Sequence, residues 1–167
     1  DLRALTGPAP LLPRRAFGVW FSRYFAYSQA DYPELLARFR AEGVPLDVLM
    51  VDTDFKAPHA WNGWSWNASL FPDPRGLFEW AHREGIEVGL NVHPSIPTDD
   101  PRLAEAERRA GEPLPPDPNA VRCRAFVAAG DAYGTGTPGA APDCRVFDWT
   151  RVSNQEAYFW LHEPFES

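Results

Sequence analysis

Asp52 and Asp54 stand one residue apart at the exit of the apolar run Leu46–Phe55, LDVLMVDTDF. Paired carboxylates can serve as the acid and base of a glycosidase, hold a divalent cation, or accept hydrogen bonds from sugar hydroxyls. On an extended strand, residues two apart share a face, which sets their Cα atoms roughly 6.5–7 Å apart. That lies near the carboxylate separation of about 6.5–9.5 Å used by inverting glycosidases. Against it, catalytic carboxylates flank the scissile bond from opposite sides, whereas neighbours on one strand approach from one side. The D-x-D spacing also suits a metal-dependent glycosyltransferase, with the carboxylates holding a cation and a diphosphate. Hydroxyl acceptors of a carbohydrate-binding protein need no further partner. Pairing with Arg23, or capping a loop, is the structural account of the same residues.

The loop Trp61-Asn-Gly-Trp64-Ser-Trp66-Asn67 places three indoles within six residues. An indole presents an apolar face that stacks under a pyranose ring. One of the three is expected to reach a ligand and the others to pack the loop down. Arg23 and Tyr24 follow the first candidate strand, and His93 ends the third, so strand-end logic brings them towards one rim. A metal cluster of Asp52, Asp54, His59 and His93 matches no known ligand spacing, and no metal or cofactor is expected.

These residues need elements to hold them. Ala16–Phe21 reads as the first strand, and Ser28, three residues before Asp31, signals a helix start. Tyr32, Leu35, Leu36 and Phe39 follow at helical spacing, with Gly43 at the C-terminal stop. Leu46–Phe55 is apolar enough for a strand buried on both faces, as in parallel sheets. A helix through Leu77, Phe78, Trp80 and Ala81 stops at Gly85, and Ile86–Val92 is the third strand. The exits Ala41-Glu42-Gly43-Val44 and Arg83-Glu84-Gly85-Ile86 are near copies. Residues 97–145 interrupt the pattern, with a helical stretch at Pro101–Ala110 and no fixed structure expected from Gly130 to Pro142. A capping box, Ser153 to Glu156, opens a helix through Ala157, Phe159, Trp160 and Leu161.

Strand, helix, strand, helix, strand describes parallel βα units. The expected fold class is α/β: the first three to four βα units of a TIM (β/α)8 barrel, incomplete in this chain, since such a barrel takes about 250 residues. Residues 1–16 read as a linker or lead-in segment and 17–167 as the partial barrel domain, with its long loop at 97–145. The lack of an initiator Met and of a signal peptide fits a piece of something longer.

The chain has 167 residues, of which 44% are hydrophobic and 14% aromatic, enough for a packed core. A formal charge of −7 disfavours nucleic acid and anionic membranes as partners. No apolar run approaches the ~18 residues of a membrane span. Cys123 and Cys144 are too far apart for a CxxC motif; they could form one disulfide, which spacing alone does not decide, and free thiols are the favoured reading, which fits a cytoplasmic setting, although the compartment is not assigned. Lys56 is the sole lysine, and no function attaches to it on sequence grounds.

Taken in order, several motifs resemble glycoside hydrolase family 31, the α-glucosidase and α-xylosidase family. They are Gly18-Val-Trp-Phe-Ser-Arg-Tyr24, Val44-Pro45-Leu46-Asp47, Val51-Asp-Thr-Asp-Phe55, Trp61-Asn-Gly-Trp64, Phe71-Pro-Asp-Pro74, Gly89-Leu-Asn-Val-His-Pro94 and Val146-Phe-Asp-Trp-Thr150. The resemblance implies a retaining hydrolase acting on α-linked glucosides or related α-glycosides, with a carboxylate nucleophile and a separate acid/base. Both catalytic carboxylates are expected after Ser167, so no catalytic residue is assigned within this chain. The rest of the same barrel would then be its structural partner. The resemblance further implies that Asp52 bonds sugar hydroxyls and that Tyr24 lies at the pocket floor, with Asp54, Trp61 and His93 at rim positions. Many family members have Asp-Pro where this chain has His93-Pro94, a departure that bears on which sugar is accepted.

Overall fold

The computed structural model describes residues 2–118 and 143–166. In chain order the elements are α1 (Leu2–Thr6), a 3-10 turn (Arg14–Phe17), β1 (Trp20–Phe21), α2 (Asp31–Ala41) and β2 (Val48–Val51). A second 3-10 turn (Thr53–Phe55) leads to β3 (Lys56–Ala57), β4 (Ser65–Trp66), α3 (Pro74–Arg83) and β5 (Glu87–Leu90). Then come β6 (Ser95–Pro97), α4 (Leu103–Ala110), β7 (Cys144–Val146), α5 (Val152–Trp160) and α6 (Glu163–Glu166). No helix among the described residues is long and apolar enough to cross a membrane.

β2 is the centre of a parallel sheet ordered β1-β2-β5. Its register pairs Trp20 with Val48 on one side and Val51 with Leu90 on the other. Val48, Leu49 and Val51 are buried, as a strand covered on both faces requires. α2 contributes Tyr32 and Leu36 to the core, and α3 contributes Leu77 and Ala81.

The two near-copy helix exits fold identically. Gly43 and Gly85 take positive φ, 68° and 74°. Val44 N donates to Phe39 O and Ile86 N to Ala81 O, both at 2.9 Å, and each glycine N–H bonds the carbonyl three residues back. This is the Schellman arrangement, in which a left-handed residue at C′ satisfies the last carbonyls. Arg40 ties the exits together through the Glu84 carboxylate at 2.5 Å and its carbonyl at 3.2 Å.

Several local expectations change, and the third strand, expected over Ile86–Val92, is confined to Glu87–Leu90. The first strand is not Ala16–Phe21: Arg14–Phe17 forms a 3-10 turn and only Trp20–Phe21 pairs. Val19 N donates to Asp47 Oδ2 at 2.7 Å, and a Cβ at Gly18 would sit 2.4 Å from that carboxyl. The central strand ends at Val51 rather than Phe55, because Asp52 caps the following turn by accepting from Thr53 N at 2.8 Å. Asp52 and Asp54 are therefore not on one face of an extended strand. The Ser153 capping box is absent, since Arg151 is the N-cap and Ser153 Oγ donates to Ala110 O at 2.9 Å, joining α5 to α4. Asn154 takes the organising role, its Oδ1 accepting from Asp148 N at 3.0 Å.

After β5 the chain leaves the parallel sheet. β6 pairs antiparallel with β7, Ser95 opposite Val146. The helical stretch expected at Pro101–Ala110 is α4, ended by Gly111 at φ 77°. Arg102 and Arg109 lie over Trp160 at 4.0 and 4.6 Å, locking α4 against α5. The Gly130–Pro142 run lies outside the described residues. Cys144 is buried and disulfide-bonded, not the free thiol expected, and Cys123 also lies outside the described residues.

Candidate carbohydrate site at the ends of the parallel strands

The register Val51–Leu90 makes Asp52 and Asn91 neighbours just past the ends of β2 and β5. Asn91 Nδ2 donates to Asp52 Oδ1 at 2.7 Å, the oxygen that also caps Thr53. Among the described residues Asp52 Oδ2 receives only a long approach from Ser22 Oγ, 3.4 Å away beyond β1. A hydroxyl donor normally sits at about 2.7–2.8 Å, so Oδ2 retains acceptor capacity. Asp52 is half-buried, whereas Asp54 is only 2% exposed within the 3-10 turn, where Thr53 Oγ1 lies 3.3 Å from its Oδ2.

Beside them lies a group that sequence reasoning passed over. Lys56 is 2% exposed, yet among the described residues no carboxylate reaches it at ion-pair distance. Its ammonium donates to the main-chain carbonyls of Trp61 at 2.7 Å and Asn91 at 2.9 Å. Burial lowers its pKa to about 7, opposed by the charges of Asp52 and Asp54. The signal in the sequence was its singularity: one lysine, two residues beyond the acidic pair.

The Trp61 carbonyl accepts a second bond, from His93 Nδ1 at 2.6 Å. A carbonyl cannot donate, so Nδ1 carries the proton. The imidazole stacks on the Trp61 indole with centroids 3.6 Å apart and planes 16° from parallel. Burial pushes the His93 pKa below its ordinary value, and the Lys56 charge pushes it the same way.

The three indoles divide their roles. Trp64 is 1% exposed and donates from Nε1 to Ser95 O at 3.0 Å. Trp66 packs on Phe55 at 5.1 Å and donates to Pro164 O at 2.7 Å. Trp61, half-buried on His93, is the one not built into the core. Gly63 lets this loop cross its own base: a Cβ there would meet Ala57 O at 2.2 Å. Gly63→Ala is expected to destabilise the fold by about 1–3 kcal/mol, a typical overpacking cost. Urea unfolding would show it, and an unchanged midpoint would mean that the backbone yields freely.

Structure separates the remaining candidates. Tyr24 is half-buried just after β1. Arg23 turns away from Asp52, with Nη1 3.5 Å from Tyr27 Oη and its guanidinium 4.8 Å over Phe25. His59 Nε2 lies 2.9 Å from both oxygens of Asp99. Asn91 and Ser22, unnoticed in sequence, were inside motifs already singled out, Gly89–Pro94 and Gly18–Tyr24.

The family model of the glycosyl hydrolases family 31 TIM-barrel domain matches residues 9–166. An α-xylosidase of Saccharolobus solfataricus is 33% identical over 94 residues, covering 56% of this chain and 13% of that protein. The α-xylosidase XylQ of Lactiplantibacillus pentosus is 31% identical over 105 residues, covering 62% of this chain and 14% of its own length. Among solved structures, an α-xylosidase from Xanthomonas citri superposes with a TM-score of 0.73 at 23% identity. That superposition covers 97% of this chain and 16% of the other. The fold is thus an α/β TIM-barrel type, of which the chain spans a minor part of each relative's length.

Proposed function

The chain belongs to glycoside hydrolase family 31, and on that premise we propose that it is the N-terminal part of the catalytic barrel of a retaining α-glycosidase. It supplies the sugar-binding side of the pocket, and the nucleophile and acid/base come from polypeptide beyond Ser167. Residues 17–167 are the partial barrel, residues 1–16 lead into it, and the stretch at about 97–145 is an insertion after the third strand. In support, β1 and β5 each have one strand neighbour among the described residues. Phe21, Leu35, Phe39 and Val44 line an open groove beside β1 that further barrel units would cover.

The observation that carries the reading is Asp52: one carboxylate oxygen is fixed by Thr53 N and Asn91, and the other retains capacity for a hydroxyl donor. Tyr24 forms the pocket floor, Trp61 and His93 form a rim, and Asp54 supports the turn that carries Asp52. The substrate is an α-linked glucoside or a related α-glycoside, with α-xylosides included because the relatives are named as α-xylosidases.

The test is hydrolysis of aryl α-glucosides and aryl α-xylosides by the full-length polypeptide, with the anomer first released identified by NMR. Turnover with retention is expected. The 167-residue chain alone should show none, because it holds neither catalytic carboxylate. Full-length protein that ignores both substrates and instead requires Mn²⁺ and a nucleotide sugar would overturn the proposal.

A further inference from the structure

Lys56 buries an ammonium behind the Trp61–His93 stack without an ion pair among the described residues, an arrangement that costs free energy unless its hydrogen bonds compensate. Those bonds converge on two carbonyls belonging to different parts of the site. One, Trp61 O, lies in the aromatic loop, and the other, Asn91 O, lies on the residue that also holds Asp52. We propose that Lys56 is a positioning residue that clamps the Trp61 loop to the end of β5 and so fixes His93 as the Nδ1–H tautomer, leaving Nε2 as a hydrogen-bond acceptor for a sugar hydroxyl. The inference deepens the glycosidase reading and rests on it for the identity of the ligand.

The geometry supports each link. Trp61 O has two lone pairs and receives two donors, Lys56 Nζ at 2.7 Å and His93 Nδ1 at 2.6 Å. Nζ also lies 3.4 Å from His93 Nδ1, a contact between two donors rather than a bond. With Nδ1 protonated, a second proton on Nε2 would make imidazolium beside a buried ammonium. The groups bearing on the ring are Lys56, which opposes that charge, and Asp52, which favours it less strongly. Asp54 acts on Lys56 from the same turn. Among the described residues His93 Nε2 has no hydrogen-bond partner, whereas Nδ1 is engaged. The site thereby presents two acceptors, Asp52 Oδ2 and His93 Nε2, a pattern suited to a polyol and not to an anion.

The experiment is ¹⁵N NMR of labelled histidine in the full-length protein without sugar, as a function of pH, for the unsubstituted protein, Lys56→Met and Lys56→Arg. Unsubstituted protein should show His93 as Nδ1–H with a titration midpoint below the ordinary value of about 6.5. Lys56→Met should move that midpoint upward, and Lys56→Arg, which retains the charge, should restore it. Kinetics should split accordingly. Lys56→Met raises KM for the α-glycoside about five-fold, the worth of one ordinary hydrogen bond, with a smaller change in kcat. An Nε2–H tautomer in the unsubstituted protein overturns the proposal even where Lys56→Met fails to fold. So does an unmoved midpoint in a folded Lys56→Met variant, or a moved midpoint with KM unchanged. Because the titration needs no substrate, absent turnover with the expected tautomer and midpoints would count against the glycosidase reading and not against Lys56.

Discussion

Asp52→Asn in the full-length enzyme is expected to lower kcat/KM by about one to two orders of magnitude while leaving the melting temperature nearly unchanged. The amide keeps one oxygen to accept from Thr53 N and Asn91, the two bonds that hold the side chain in place. It removes the charge that a sugar hydroxyl would meet at Oδ2. A hydrogen bond to a charged group is worth about 1.5–3 kcal/mol, which sets the size of the loss. Asp54→Asn should behave in the opposite way. Its carboxyl is buried inside the turn, so the change should appear in the melting temperature before it appears in kcat/KM. Kinetics and melting curves of both variants decide the matter. Equal kinetic losses would mean that both carboxylates face the sugar, and an Asp52→Asn loss fully explained by unfolding would make Asp52 a turn cap only.

Lys56 should leave a signature in stability against pH. Burial lowers its pKa from 10.5 to about 7. Between those two values the unfolded chain holds a proton that the folded chain has released. Stability therefore rises with pH across that window, by up to about 1.4 kcal/mol per pH unit and about 5 kcal/mol in all. Below pH 7 both states are protonated and the contribution is flat. Lys56→Met removes the titrating group, so the difference in unfolding free energy between the two proteins should change steadily from pH 7 to pH 10. Urea unfolding at intervals of one pH unit measures it directly. Parallel curves would show that Lys56 keeps its proton in the fold as readily as outside it.

Much of this architecture is written locally. The Schellman exits at Gly43 and Gly85 depend on residues within one helical turn, and both formed as their near-identical sequences require. The apolar run before Asp52 became the buried central strand for an equally local reason: Val48, Leu49 and Val51 need cover on both faces. Local signals failed where a distant group competed for the same side chain. Ser153 had the spacing of a capping box but bonds Ala110 O across the packed helices, and the strand proposed to run through Asp54 stops where Asp52 turns its carboxylate on Thr53 and Asn91.

By itself the sequence determined the succession β1, α2, β2, α3, β5 and the family, through short motifs kept in one order, but not the short strands β3, β4, β6 and β7. Only the tertiary structure decided which indole remains outside the core, that Asp52 and Asp54 part company, and that Asn91 and Lys56 hold the site together. The physical reason is range. Turns and caps are settled among neighbours in the chain. The bond from Asn91 to Asp52, and that from Lys56 to the Asn91 carbonyl, exist because the parallel register of β2 and β5 sets residues far apart in sequence side by side.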